Sequence, residues 1–169
     1  GKPFLDGPTP RMTPDEVKQA SAWANLMFSF IDVEEPSIDI ILEKARVEVY
    51  RRGIKGMVID PWNELEHHRP NHMSETEYIS DALSRLRRFA RMHDLHLWII
   101  AHPTKLRRNE DGSEPVPGLY DISGSANFRN KADMGLSVWR DISLNDSKVQ
   151  VHVTKVRYVA HGDLGAVSF

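Results

Sequence analysis

The chain has 169 residues, 40% of them hydrophobic, a formal net charge of −2 and no cysteine. That length suits one ordinary domain with a real core, and the near-neutral charge gives no global field toward nucleic acid. Disulfides and thiolate metal sites are excluded, and no apolar run approaches the roughly 20 residues of a spanning helix. No signal peptide is visible, so a soluble, intracellular domain without a membrane partner is expected, cytoplasmic in a bacterium or phage host or else in an organelle. The first residue is Gly1 and the chain starts in mid-phrase, so the start reads as an expression boundary or a fragment end.

Residues 1–12 hold three prolines and two glycines and read as a loop. Thr13-Pro14-Asp15-Glu16 starts a helix: Thr13 caps, Pro14 suits the first helical position and Glu16 completes a capping box. This helix is predicted to run to about Asn25, and Phe28 to Asp32 reads as a short strand. Ser37 caps a second helix with Ile38, Ile41, Leu42, Ala45 and Val49 on one face. Arg51 and Arg52 fill its last turn, and Gly53 ends it. Gly56 to Asp60 is an apolar run with the look of a strand buried on both faces. A loop with His67, His68 and His72 follows.

Ser74 and Glu77 form a second capping box. The helix they open is predicted to reach about His93, with Tyr78, Ala82, Leu83, Leu86, Phe89 and Ala90 inward. Leu95 to Ala101 reads as the next buried strand, and residues 102–120 as a long polar loop, functional or mobile. A short helix is expected near Ala126–Lys131, then three strand-like runs: Met134–Trp139, Val149–Arg157 and Leu164–Phe169. Strand, helix and strand in alternation, with apolar strands, predict an α/β fold with a mostly parallel sheet flanked by helices. The last strands, joined tightly near Asn145-Asp146 and His161-Gly162, predict an antiparallel addition at one edge.

Open parallel sheets bind ligands at the carboxyl ends of their strands. Asp60 and His102 occupy such places. A hydrophobic strand ending in Asp is the Walker B pattern, whose carboxylate holds the water shell of Mg²⁺ beside nucleotide phosphates. Taken singly, Asp60 also fits a structural cap, and His102 a satisfied structural histidine. The three loop histidines, with Glu64 and Glu66, read as solvated. Arg85, Arg87, Arg88 and Arg91 read as the wet face of a helix. Lys105, Arg107 and Arg108 project near the crevice mouth, either toward nucleic-acid phosphate or into solvent. In the run Val149–Arg157, the residues Val149, Val151, Val153, Lys155 and Arg157 share one parity and hence one face. That face begins apolar and ends in two cations, which either snorkel or reach a phosphate, as an arginine finger does.

In this order, the pieces resemble the DnaB-like hexameric helicases, in their Twinkle and phage primase-helicase branch. The resemblance runs from about Phe28 to Phe169. Met57-Val58-Ile59-Asp60 resembles the Walker B strand, and Leu97 to Lys105 (LWIIAHPTK) the following motif. Asp121-Ile122-Ser123-Gly124-Ser125 resembles the start of a DNA-facing region. Lys155-Val156-Arg157-Tyr158 with Gly162-Asp163-Leu164-Gly165 resembles the family's closing motif.

The resemblance implies a RecA-like fold, truncated at its N-terminal side, over 1–169. It implies ATP or another nucleoside triphosphate and Mg²⁺ as cofactors, single-stranded DNA as substrate, a homo-oligomeric ring, and in some members a primase as partner. Asp60 would position Mg²⁺. His102 would sense the γ-phosphate. Arg157, with Lys155 beside it, would be the finger entering the adjacent subunit. Lys105, Arg107, Arg108, Ser123, Gly124 and Arg129 would face DNA. The chain contains no G-x-x-x-x-G-K-[ST] loop. That loop and the family's catalytic glutamate are expected upstream of Gly1, and residues 1–169 alone are expected not to hydrolyse ATP. A RecA- or RadA-like recombination ATPase, or a degenerate non-catalytic DNA-binding or ring-forming module, are the alternatives.

Overall fold

The computed structural model describes residues 2–123, 126–141 and 148–169. It divides into two units, Gly1–Glu34 and Glu35–Phe169.

The first unit contains α1 (Pro14–Met27). Thr13 Oγ1 accepts from the Glu16 N–H, and Glu16 Oε2 accepts from the Thr13 N–H at 2.8 Å, so the predicted capping box forms. The Lys2 ammonium bonded to Glu16, helped by the Thr13 N–H, holds the Glu16 carboxyl down at about 2. The segment 28–32 is not a strand, contrary to expectation: it belongs to neither sheet, and Phe30 is 89% exposed. Its apolar residues had suggested a strand, but a strand exists only as a rung of a hydrogen-bonded ladder.

The second unit begins with α2 (Ile38–Arg52), capped by Ser37 and stopped by Gly53 at φ 61°, where a glycine is needed. Then come β1 (Gly56–Ile59), a 3-10 turn (Trp62–Glu64), α3 (Glu75–Met92) and β2 (His96–Ile99). β1 and β2 pair in parallel, with Val58 opposite Trp98. Ile38, Ile41 and Ala45 of α2, Met57 and Ile59 of β1, and Ile79, Ala82, Leu83, Leu86 and Phe89 of α3 form the core. Tyr78 and Ala90, predicted inward, are half-buried at the margin of that stripe.

Neither strand is buried on both faces, which corrects the reading of their apolar runs. Val58 is 60% exposed and its neighbour Trp98 is 48% exposed. Alternate residues point to opposite faces. Within this unit the buried side chains of β1 are those of one face only.

After α4 (Asn127–Lys131), the strands β3 (Met134–Trp139), β4 (Gln150–Val156) and β5 (Gly165–Ser168) make an antiparallel sheet in the order β3-β4-β5. The predicted turn at Asn145-Asp146 lies outside the described residues. The second connection is a 3-10 turn (Val159–His161) ending at Gly162. β3 runs close under the preceding loop: a Cβ on Gly135 would sit 2.5 Å from Leu119 Cδ1, so any larger residue there would make the Leu119 side chain move.

One register shift changes the functional reading of β4. Leu136 pairs with Val153, but its neighbour Gly135 pairs with Lys155, leaving Thr154 as the extra residue of a bulge. Paired residues lie on the same face, and Leu136 and Gly135 point to opposite ones. Lys155 therefore lies on the opposite face from Val153, against the expectation that Val149 to Arg157 share one face.

Candidate functional site

Asp60 follows β1 directly and is exposed at its carboxyl end. The chain then turns back onto the end of β2. The Ile100 N–H donates to Ile59 O at 2.9 Å, and the Trp62 N–H donates to Ile100 O at 2.7 Å. Asn63 Oδ1 accepts from the His102 N–H at 2.7 Å. These bonds place Asp60 and His102 at the same end of two adjacent parallel strands, with the His102 backbone fixed and its side chain exposed.

The next turn of chain is tied to the region of Ser123. Pro103 and Ile122 form an isolated antiparallel bridge. Thr104 donates to Asp121 O twice, from its N–H at 2.7 Å and from Oγ1 at 3.0 Å. Ser123 and Asn63 line one groove with Trp62, His67 and Tyr78. The structure thus brings Asp60 and His102 to one strand end and ties Thr104, next to Lys105, to the segment that leads to Ser123; Gly124 lies outside the described residues. Lys105 and Arg107 are exposed, whereas Arg108 is paired with Glu114 at 3.0 Å inside the loop. The Arg129 guanidinium stands 5.0 Å from the Tyr120 ring centroid, a cation–π contact.

Trp62 and Asn63 carry no periodic or motif signal, and sequence reasoning missed both. Trp62 is 3% exposed and meets Phe128 edge-on at 5.4 Å, which anchors α4 beneath the groove. His67 packs on Trp62 at 4.9 Å and contacts the Tyr78 hydroxyl at 3.4 Å. Burial pushes the His67 imidazole below its ordinary 6.5, against the backbone hydrogen bond with Trp62. The folded state therefore resists protonation more than the unfolded chain does. The contribution of His67 is neutral above 6.5 and turns destabilising as pH falls below that value toward the folded pKa. The loss of thermal stability between about pH 7.5 and about pH 5.5 is expected to be smaller in His67→Phe than in the parent. Equal pH slopes in the two melting series would remove His67 from this role.

Lys155 and Arg157 do not project freely. Lys155 Nζ donates to Arg129 O and, at 2.7 Å, to Ala132 O. Arg157 donates to Asn130 O and, at 3.2 Å, to Ala132 O. Both cations thus satisfy carbonyls at the end of α4, where the helix leaves acceptors unpaired. Asp133 is the residue the sequence did not point to: its Oδ1 is 3.2 Å from Arg157 Nε and 2.9 Å from an Arg87 nitrogen. Burial, then the neighbouring Arg157 and Arg129, push the Lys155 ammonium below its usual range.

A parallel strand pair ending in a carboxylate and a histidine, covered by helices and followed by an antiparallel sheet, is a RecA-like α/β arrangement. Two solved structures share the fold, each at TM-score 0.69 and 23% identity. They are an ATPase domain, matched over 92% of this chain and 56% of that one, and a DnaB-like replicative helicase described with its interactions with primase, matched over 93% and 39%. No family model matches the chain. The Twinkle homolog protein, chloroplastic/mitochondrial, of Arabidopsis thaliana is 42% identical over 174 residues, 97% of this chain. The chain belongs to the DnaB-like helicase family, on its Twinkle branch. It spans 24% of the length of that relative.

Proposed function

We propose that this chain is part of the motor of an ATP-dependent replicative DNA helicase that moves along single-stranded DNA as a ring. The observation that carries the reading is the pairing of Asp60 and His102 at the carboxyl ends of β1 and β2, held by the Trp62–Ile100 and Asn63–His102 hydrogen bonds. Asp60 fits Mg²⁺: it is an exposed oxygen ligand. Mg²⁺ takes one or two carboxylates and fills its remaining positions with water and substrate phosphate. Among the described residues no three His, Asp or Glu side chains form a closed metal cage. The metal, when bound, neutralises charge on the phosphates.

His102 reads the γ-phosphate in this proposal, and a coupling route follows from the backbone. Any shift at His102 acts on Thr104, and through two hydrogen bonds on Asp121, two residues from Ser123. Lys105, Arg107, Arg108, Ser123, Gly124 and Arg129 are assigned to the DNA side, with phosphate as the contacted group. Lys155 and Arg157 act on the phosphate of a neighbouring subunit across a heterologous interface. The relatives support further assignments for the whole protein. One is described with primase, which supports a primase partner, and one is named for chloroplasts and mitochondria, which supports an organelle beside the cytoplasm as the compartment.

The test uses the full-length protein on a forked duplex with nucleoside triphosphate and Mg²⁺. Strand separation that stops on chelation of the metal is expected. Strand exchange between homologous duplexes without unwinding would move the protein to the recombination ATPases. Absence of any nucleotide-dependent activity would leave a degenerate module and overturn the reading.

A further inference from the structure

A second charged site lies away from the strand ends, where α3 meets the end of α4. A pocket of about 260 Å³ is lined there by Ser84, Arg87, Arg88, Arg91 and Lys131. Liquid water takes about 30 Å³ per molecule, so the space admits a small hydrated anion. Ser84, Arg87, Arg88 and Arg91 stand at i, i+3, i+4 and i+7, one stripe of α3. Lys131 arrives from α4, 47 residues beyond Ser84.

The pocket is built rather than merely solvated. Lys131 Nζ donates to Ser84 Oγ at 2.6 Å, and Ser84 Oγ donates in turn to Ser80 O at 2.8 Å, which pins the ammonium at the wall. Arg87 is fixed by Asp133 at 2.9 Å. Arg88 and Arg91 make no ion pair among the described residues, whereas Arg85, on another side of the same helix, is paired with Asp39. Four cations therefore border one space, and the carboxylate that touches one of them, Asp133, is shared with Arg157. Like charges at such spacing repel, and this arrangement leaves an uncompensated positive field.

We propose that this pocket binds a phosphate group. Guanidinium forks match phosphate oxygens in pairs, and a lysine adds a point charge. None of the pocket's lining residues is among those assigned above to nucleotide or DNA, so the proposal stands apart from that reading. The chemistry is shared by a nucleic-acid backbone phosphate and by the phosphate tail of a nucleotide.

The chain is titrated at about 0.15 M salt, where exposed charges are screened beyond about 8 Å, with pyrophosphate in one arm and a twelve-residue oligothymidylate in the other. Binding is read by calorimetry and by protection of Arg88 and Arg91 from phenylglyoxal. Saturable binding is expected in at least one arm. The Arg88→Ala/Arg91→Ala pair, both on exposed positions, should weaken it about tenfold or more for each guanidinium lost. Arg46→Ala/Arg51→Ala, with the same change in charge on exposed positions of α2, should leave it unchanged. Tighter binding of the oligothymidylate assigns the site to nucleic-acid backbone; tighter binding of pyrophosphate assigns it to a nucleotide. Binding in neither arm, no loss in Arg88→Ala/Arg91→Ala, or equal loss in the α2 pair overturns the proposal.

Discussion

Arg157→Ala is expected to lower nucleotide hydrolysis by about 10³-fold or more in the full-length protein, with nucleotide binding retained, because a finger stabilises charge that develops only in the transition state. The structure adds a competing account that the experiment must separate. Arg157 already donates to carbonyls of the α4 end and pairs with Asp133 at 3.2 Å. If its whole role is to cap α4, Arg157→Ala lowers the melting temperature and activity follows stability. Subunit mixing distinguishes the two. An Asp60→Asn subunit keeps its Arg157, and an Arg157→Ala subunit keeps its Asp60. A finger acting across the interface gives mixed rings more activity than either variant alone, whereas a cap acting within its own subunit gives no recovery. Full activity in Arg157→Ala would end the assignment. Asp133→Asn refines the result, since it weakens the hold on both Arg157 and Arg87 without touching either cation. A fall in kcat at unchanged melting temperature would mark Asp133 as a positioning residue.

The sites that local chemistry decides were legible in the residues. Both capping boxes, Thr13/Glu16 and Ser74/Glu77, form as read, because two residues three positions apart suffice to define them. Gly53 stops α2 for an equally local reason. The placement of Asp60 and His102 followed from strand order, and β1 and β2 are indeed adjacent and parallel. What failed depended on distant partners. The valines of Gln150–Val156 switch parity, from Val151 and Val153 to Val156, but no glycine, proline or asparagine marks a bulge at Thr154. The pairing with Gly135 and Leu136 places it there. The bulge leaves Thr154 Oγ1 buried with no hydrogen-bond partner among the described residues, and it turns Lys155 toward α4. Asp133 looked like a lone acid between helix and strand, yet it joins Arg87 to Arg157. The apolar runs of β1 and β2 suggested two covered faces because hydrophobicity reports what can be buried, not what a given stretch of chain covers.

Leu86→Ala is expected to cost about 2–5 kcal/mol. For a chain of this size that corresponds to a fall of about 4–20 °C in melting temperature. Leu86 is 1% exposed, on the buried stripe of α3 with Leu83 and Phe89. A helix joined to α2, β2 and α4 cannot close one cavity without opening another contact, so the site relaxes poorly and the upper half of the range is favoured. The matching control is Val58→Thr. Val58 lies in a strand between two buried residues, so the sequence alone predicts a large penalty for a hydroxyl there. The structure predicts almost none, within about 0.5 kcal/mol, because Val58 is 60% exposed and the hydroxyl stays in water. Thermal melts of the two variants beside the parent therefore test the one-faced sheet directly. A Val58→Thr loss comparable to that of Leu86→Ala would mean that the outer face of β1 and β2 is covered in solution.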